Sequence, residues 1–355
     1  MIFRTPQYYQ EFRCIADQCK DNCCIGWEIE IDAEAAEHYR KIPGEFGERL
    51  RSCIRFGQPS VFVLDAQERC PFLNDRNLCD IITTLGEPVL CQICTDHPRY
   101  YEWFGTVKEG GIGMCCEAAA MLILSQDGEF SVTETEIPDE GAFPHDEALF
   151  AHLLTLRTRL FALLHEEAQP LHIRLSAMLR LAYAAQVSID NGGGIPEDIP
   201  EIAPEKGDPA QILQFLQTLE PISPAWHPAL KAAEQRLPEL ARRCAQFWQK
   251  NPQTPKYLRN IAVYFLWRYL LKGTFDGEFL SRAVLAVASV CVIASLWAAD
   301  WQDAALSIEE CAELAKNYSK EIEYSEDNLN ALLDAAYDLP ALSVPQLLGI
   351  LADWC

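Results

Sequence analysis

Cys14-Ile-Ala-Asp-Gln-Cys19-Lys-Asp-Asn-Cys23-Cys24 places four thiols within eleven residues. Adjacent cysteines do not both sit easily as ordinary core residues, and four on so short a stretch can converge on one point. Further along stand Cys70-x8-Cys79, Cys91-x2-Cys94 and the pair Cys115-Cys116, with Cys53 isolated between the two sets. Of the 15 cysteines only Cys244, Cys291, Cys311 and Cys355 follow. Two kinds of polypeptide are therefore joined. The reading is a mainly α protein, with a small cysteine-rich metal-binding domain over residues 1–130 packed on an all-helical body over 145–355.

The chain has 355 residues, more than one hydrophobic core usually serves. Its formal net charge of −23 repels nucleic acid and anionic membrane surfaces and suits a lysine-bearing protein partner. The same acidity also simply favours solubility. Met1-Ile-Phe-Arg-Thr-Pro carries no apolar signal region, so the expected compartment is the cytoplasm, where thiols do not persist as disulfides. Clustered cysteines there point to metal. The longest uncharged apolar run, 283–299, is short for a membrane span and reads as a buried core helix, so no membrane partner is expected.

In the cysteine-rich part, Asp32 can cap a helix over Ala33–Lys41, and residues 60–65 read as a short strand. Asn74 and Asp75 form a turn between Cys70 and Cys79. Residues 115–125 turn apolar and alanine-rich, as a helix does, whereas the acidic stretch 133–146, with Pro138 and Pro144, reads as a linker. Leu153, Leu156, Leu160, Leu163 and Leu164 then fall on one helical face, as do Leu171, Leu175, Met178, Leu179 and Ala182. After a Gly- and Pro-rich loop over 190–209, helices are expected at 211–219, 227–250, 258–271, 278–299, 307–323 and 327–336.

Thiol-only sets suit zinc or iron–sulfur. A tetrahedral zinc site commonly uses two short knuckles, but only one Cys-x2-Cys is present, and the thiols outnumber four. The surplus favours iron–sulfur, with zinc as the alternative. The candidate ligands are Cys14, Cys19, Cys23, Cys24, Cys70, Cys79, Cys91, Cys94, Cys115 and Cys116. The radical-type Cys-x3-Cys-x2-Cys is absent, because Gly26 stands where its third cysteine would be. The seven histidines show no paired metal spacing. No Gly-x-Gly-x-x-Gly follows a strand, which disfavours a doubly wound nucleotide domain.

The run Phe12 to Asp32 resembles the opening of the flagellin lysine-N-methylase family, within a wider group of clustered-cysteine zinc- or iron-chelating proteins. Cys70-Pro-Phe-Leu-Asn, Leu78-Cys79-Asp-Ile, Leu90-Cys91-Gln-Ile-Cys94-Thr-Asp-His-Pro-Arg99 and Cys115-Cys116-Glu continue it. Cys116 replaces a more usual proline, and His97 an expected aromatic residue. Softer matches lie at Tyr257-Leu-Arg-Asn, Tyr264-Phe-Leu-Trp-Arg268 and residues 319–328. The resemblance implies methyl transfer from S-adenosylmethionine to lysines of flagellin or a related protein, by an enzyme carrying a [4Fe-4S] cluster.

Such a reaction needs a neutral, aligned lysine amine and a route for its proton. Glu321 and Tyr324 are the catalytic candidates, in a segment that also carries Glu323, Glu326 and Asn328. A plain helix end capped by Ser325 explains the same residues. Trp27 and Tyr264 are candidates to stack on adenine, against simple core packing. Arg99 is a candidate cofactor contact, against a structural salt bridge. Two further readings stand beside the methyltransferase. One is a non-catalytic metal-binding scaffold, the other an S-adenosylmethionine enzyme acting on a small molecule or peptide.

Overall fold

The computed structural model describes residues 1–354 apart from Asp21, Trp27 and Ala142. It is mainly helical. The chain opens with strand β1 (Ile2–Pro6), then forms a small lobe from β2 (Glu30–Ile31), α1 (Ala33–Lys41), α2 (Gly44–Ser52), β3 (Ile54–Arg55), β4 (Ser60–Phe62), α3 (Asp80–Leu85) and α4 (Gln92–Asp96). Asp32 caps α1, its carboxylate accepting from the Ala35 N–H at 2.9 Å, as its place before an alanine-rich helix dictates. Its other oxygen accepts from the Gln92 N–H at 2.8 Å, tying α1 to the Cys91 turn. Between Cys70 and Cys79 the side chain of Asn74 accepts from the Arg76 and Leu78 N–H groups at 2.9 and 3.1 Å, which fixes the expected turn. The lobe has its own core, built on Ile29, Ile31, Tyr39, Leu50, Phe62, Phe72 and Ile81 and including Cys70 and Cys91.

The chain then re-enters the main body through β5 (Arg99–Phe104), β6 (Val107–Ile112), α5 (Glu117–Ser125) and β7 (Val132–Glu136). The sheet runs β5-β6-β1-β7, with β1 parallel to β6 and antiparallel to β7. Gly105, at φ +57°, makes the two-residue turn of the β5–β6 hairpin. The stretch expected to be a linker thus begins as an edge strand. Its Val-Thr-Glu-Thr-Glu alternation suits a strand, and the exposed glutamates discourage further pairing on that side.

The body follows as α6 (Glu147–Leu164), α7 (Leu171–Asp190), α8 (Pro209–Leu216), α9 (Trp226–Lys250), α10 (Thr254–Tyr269), the single turn α11 (Gly273–Asp276), α12 (Phe279–Asp300), α13 (Ile308–Glu323), α14 (Glu326–Asp338) and α15 (Val344–Ala352). The leucines of α6 and α7 meet in the main core. Helix α12 is long and apolar enough to span a bilayer, yet α7, α9, α10 and α14 surround it and nearly all of it is buried. A capping box of Ser307 and Glu310 starts α13, and the Ser325 hydroxyl caps α14. Tyr8, Tyr9, Phe12, Phe104, Ile112, Met114 and the buried face of α5 belong to this core, not to the small lobe's.

Candidate active site and metal centre

A cleft of about 790 Å³ opens between the two cores. The small lobe lines it with Glu30, Asp32, residues 57–60, Gln92, Asp96 and His97. The sheet contributes Arg99, Tyr100, Tyr101 and Trp103, and the body contributes Cys115, Arg268 and Tyr324. Packing of α5 on α13 is what brings Cys115, just before α5, to Tyr324, just after α13. The two side chains are hydrogen-bonded. Burial holds the Tyr324 phenol protonated far above its ordinary range, and it pushes the Cys115 thiol up to about 11.

Beneath the cleft lies a buried polar knot. Arg268 pairs with Glu323 at 2.8 Å and donates to the Tyr264 hydroxyl at 2.7 Å, with its guanidinium 4.4 Å from the centre of the Tyr100 ring. Glu323 also accepts from Tyr264 at 2.8 Å, from Tyr269 at 2.7 Å and from Ser319. The Met114 N–H donates to the Tyr264 hydroxyl at 3.1 Å, so the knot fixes the backbone next to Cys115.

The residues proposed from sequence fare differently. Tyr324 and Arg99 line the cleft, the latter with its guanidinium 5.2 Å from the centre of the Phe12 ring. Tyr264 does not line it. Its ring is buried in the main core and its hydroxyl belongs to the knot, so it presents no face for adenine. Glu321 is buried too, its two oxygens accepting from the Ile222 and Ser223 N–H groups at 2.7 Å, which clamps the α8–α9 connection to α13. Trp27 lies outside the described residues. Arg268, Glu323 and the β5 tyrosines were not singled out as site residues. The i, i+4 spacing of Tyr264 and Arg268 in one quoted motif was the available signal.

The cysteines fall into two neighbouring groups. Cys24 is raised by its hydrogen bond with Cys23, by burial and by repulsion from Cys70 and Cys79. Cys94 is raised by its hydrogen bond with Cys91, by burial and by repulsion from Cys24 and Cys70. Cys91 is lowered instead, by hydrogen bonds from Cys94's side chain and N–H that outweigh its burial. Burial takes Cys70 up to about 12. Six thiols from three stretches of chain therefore crowd one region. Cys19 faces Cys116, whose partner in sequence touches Tyr324, and the Glu117 carboxylate holds the Lys20 N–H at 2.8 Å. Cys14 is exposed.

None of the described cysteines is in a disulfide. Among the described residues no three His, Cys, Asp or Glu side chains stand close enough to share one ion. The chemistry of the thiols nonetheless fits a thiolate-held metal: burial and neighbouring thiols oppose the thiolate at Cys24, Cys70 and Cys94, and a cation among them reverses that penalty.

A mainly helical protein with a second, smaller hydrophobic core and an aromatic, acid-walled cleft between the two is the class these features define. The family model of the FliB lysine N-methylase C-terminal domain matches residues 157–348, more than half of the chain, and the chain belongs to this family. It is 20% identical over 386 aligned residues to the lysine-N-methylase of Salmonella typhimurium, covering 90% of this chain and 94% of that protein. The lysine-N-methylase of Salmonella choleraesuis is similar to the same extent. The flagellar biosynthetic protein FliU of Salmonella muenchen is 22% identical over 142 residues, 36% of this chain and 80% of that one. No solved structure matches.

Proposed function

We propose that this protein is a cytoplasmic S-adenosylmethionine-dependent lysine N-methyltransferase acting on flagellin or a related flagellar protein, with an iron–sulfur cluster held by its clustered cysteines. The observation that carries the reading is the likeness to proteins named lysine-N-methylase over 90% of the chain, which takes in the cysteine lobe and the helical body together.

The reaction moves a methyl group from a sulfonium to an amine. The S–CH₃ electron pair stays on sulfur, the lysine nitrogen lone pair forms the new N–CH₃ bond, and the ammonium must first lose a proton. The cleft suits both cations. Tyr100, Tyr101 and Trp103 line it with rings already faced by Arg268 and Lys108, and Asp96, Asp32 and Glu30 supply the negative charge that suits a sulfonium or ammonium. Arg268, although it lines the cleft, has its charge matched by Glu323 and so does not repel them. Tyr324, kept as a neutral phenol, can orient the amine by hydrogen bonding. Cys23, Cys24, Cys70, Cys79, Cys91 and Cys94 are the thiols from which the cluster's ligands would be drawn, and a cluster held by only some of them would supply a fixed local charge and an iron open to the amino-carboxylate end of the cofactor.

The test is incubation of anaerobically prepared protein with S-adenosylmethionine and flagellin, followed by peptide mapping. Methylated lysines are expected. Cofactor binding without any methylated lysine removes the substrate assignment, and no cofactor binding removes the methyltransferase reading.

A further inference from the structure

Strand β5 ends the four-stranded sheet, and among the described residues its far side is not paired with another strand. Its even residues face the body: Tyr100 lies beside Arg268, Glu102 pairs with Lys272 at 2.7 Å, and Phe104 stacks on Phe150. Its odd residues face the other way: Tyr101 meets Tyr9 at 3.2 Å, and Trp103 stacks on Phe143. The cleft is lined by Tyr100 and Arg268 from one face and by Tyr101 and Trp103 from the other. A cavity touching both faces of a strand runs along its edge.

That edge is bare. Among the described residues, no group outside the sheet hydrogen-bonds to the main chain of residues 99–104. Natural sheets usually guard such an edge with charged residues, proline or a bulge; here Pro98 and Arg99 guard only the start of the strand, and Glu102 is turned to the body and paired with Lys272. From the small lobe come the carboxylates of Glu30, Asp32 and Asp96, which outnumber the Arg99 guanidinium at the start of the strand, while the facing Arg268 is neutralised by Glu323. The opening therefore offers main-chain hydrogen bonds on one side and unbalanced negative charge on the other. Six residues of strand span about 20 Å.

We infer that the open edge of β5 takes the protein substrate as an added strand, an extended lysine-bearing segment whose main chain pairs with residues 99–104 and whose lysine enters the cleft against the acidic wall. This rests on the lysine-methylation reading above and gives it a mode of substrate recognition. Affinity then comes from the main chain, and selection from the side chains at every second position.

The probe is a fluorescein-labelled nine-residue peptide with a central lysine flanked by threonine and valine, titrated into the full-length, anaerobically prepared protein. Single backbone N-methyl groups are walked along it, each removing one N–H donor. Affinity is expected to fall about tenfold at alternate positions, the worth of one lost main-chain hydrogen bond, and to change little at the positions between. Amide exchange at residues 99–104 is expected to slow on binding. Uniform loss along the peptide, protection elsewhere with none in β5, or no binding at all overturns the inference. Methyl transfer to the lysine is read in parallel, so the two claims fail separately. Alternation and β5 protection without transfer uphold the docking mode and refute the reaction, whereas transfer without alternation does the reverse.

Discussion

Arg268 Nη1 stands 2.8 Å from Glu323 Oε2, and the Glu323 side chain is fully buried. Three hydroxyls converge on the same carboxylate. The charge pair is thus completed by hydrogen bonds, which is the condition under which a buried ion pair is tolerated. Glu323→Gln removes one partner and leaves Arg268 uncompensated below the cleft, so it is expected to cost about 3–5 kcal/mol in chemical denaturation. A loss below about 1 kcal/mol, the range of an exposed pair, contradicts this arrangement.

Glu321 and Tyr324 are expected to separate in a kinetic assay. Glu321→Gln weakens the clamp on Ile222 and Ser223, costing about 1–3 kcal/mol of stability and leaving methyl transfer per folded molecule unchanged. Tyr324→Phe removes a hydroxyl at the cleft and is expected to slow transfer while cofactor binding persists. Slow transfer in the Glu321 variant with normal rates in the Tyr324 variant reverses the assignment.

The cysteines divide in the same way. Cys23→Ala and Cys94→Ala are expected to lose metal and solubility, because ligand bonds contribute to folding. Cys291 lies buried in α12, far in sequence from the clusters, and Cys291→Ala is expected to cost about 1 kcal/mol or less with metal retained. Iron, acid-labile sulfide and zinc assays on each variant decide the matter. Iron and sulfide are expected in the parent protein, and stoichiometric zinc without sulfide removes the iron–sulfur assignment.

His97 gives a pH signature. Burial, helped by the positive charge of Lys320, lowers its imidazole from the ordinary 6.5 to about 4. Between these values the unfolded chain takes up a proton that the folded chain refuses. Stability is therefore fully present above pH 6.5 and falls as the pH drops towards 4, by at most about 3 kcal/mol from this residue. His97→Phe, which keeps a ring beside Tyr324, is expected to flatten this part of the curve in denaturant titrations at several pH values. An unchanged slope means that His97 is not buried as a neutral ring.

Local signals were legible in the sequence. Asp32 before its alanines, Asn74 in its turn and the leucine faces of α6 and α7 each specify structure through neighbours in the chain. The four-stranded sheet was not legible, because β1 pairs with β7 across some 130 residues and neither strand carries an apolar alternation long enough to stand out. Nor was the choice between Glu321 and Glu323. Two positions apart on a helix, they face different surroundings, and only the packing of α10 against the region shows that Glu323 meets Arg268 while Glu321 meets a loop. Tyr264 failed as an adenine contact for a related reason. An aromatic residue in a recognisable motif reads the same whether its ring lines a cavity or its hydroxyl anchors a buried network.

The most direct measurement is mass spectrometry of flagellin incubated with S-adenosylmethionine and either metal-loaded or metal-stripped protein, both checked to be folded. Methyl groups on flagellin lysines are expected with the loaded protein and none with the stripped protein. Equal methylation by the stripped, folded protein contradicts a role for the thiol-held metal, and an unmodified flagellin in both samples contradicts the proposed function itself.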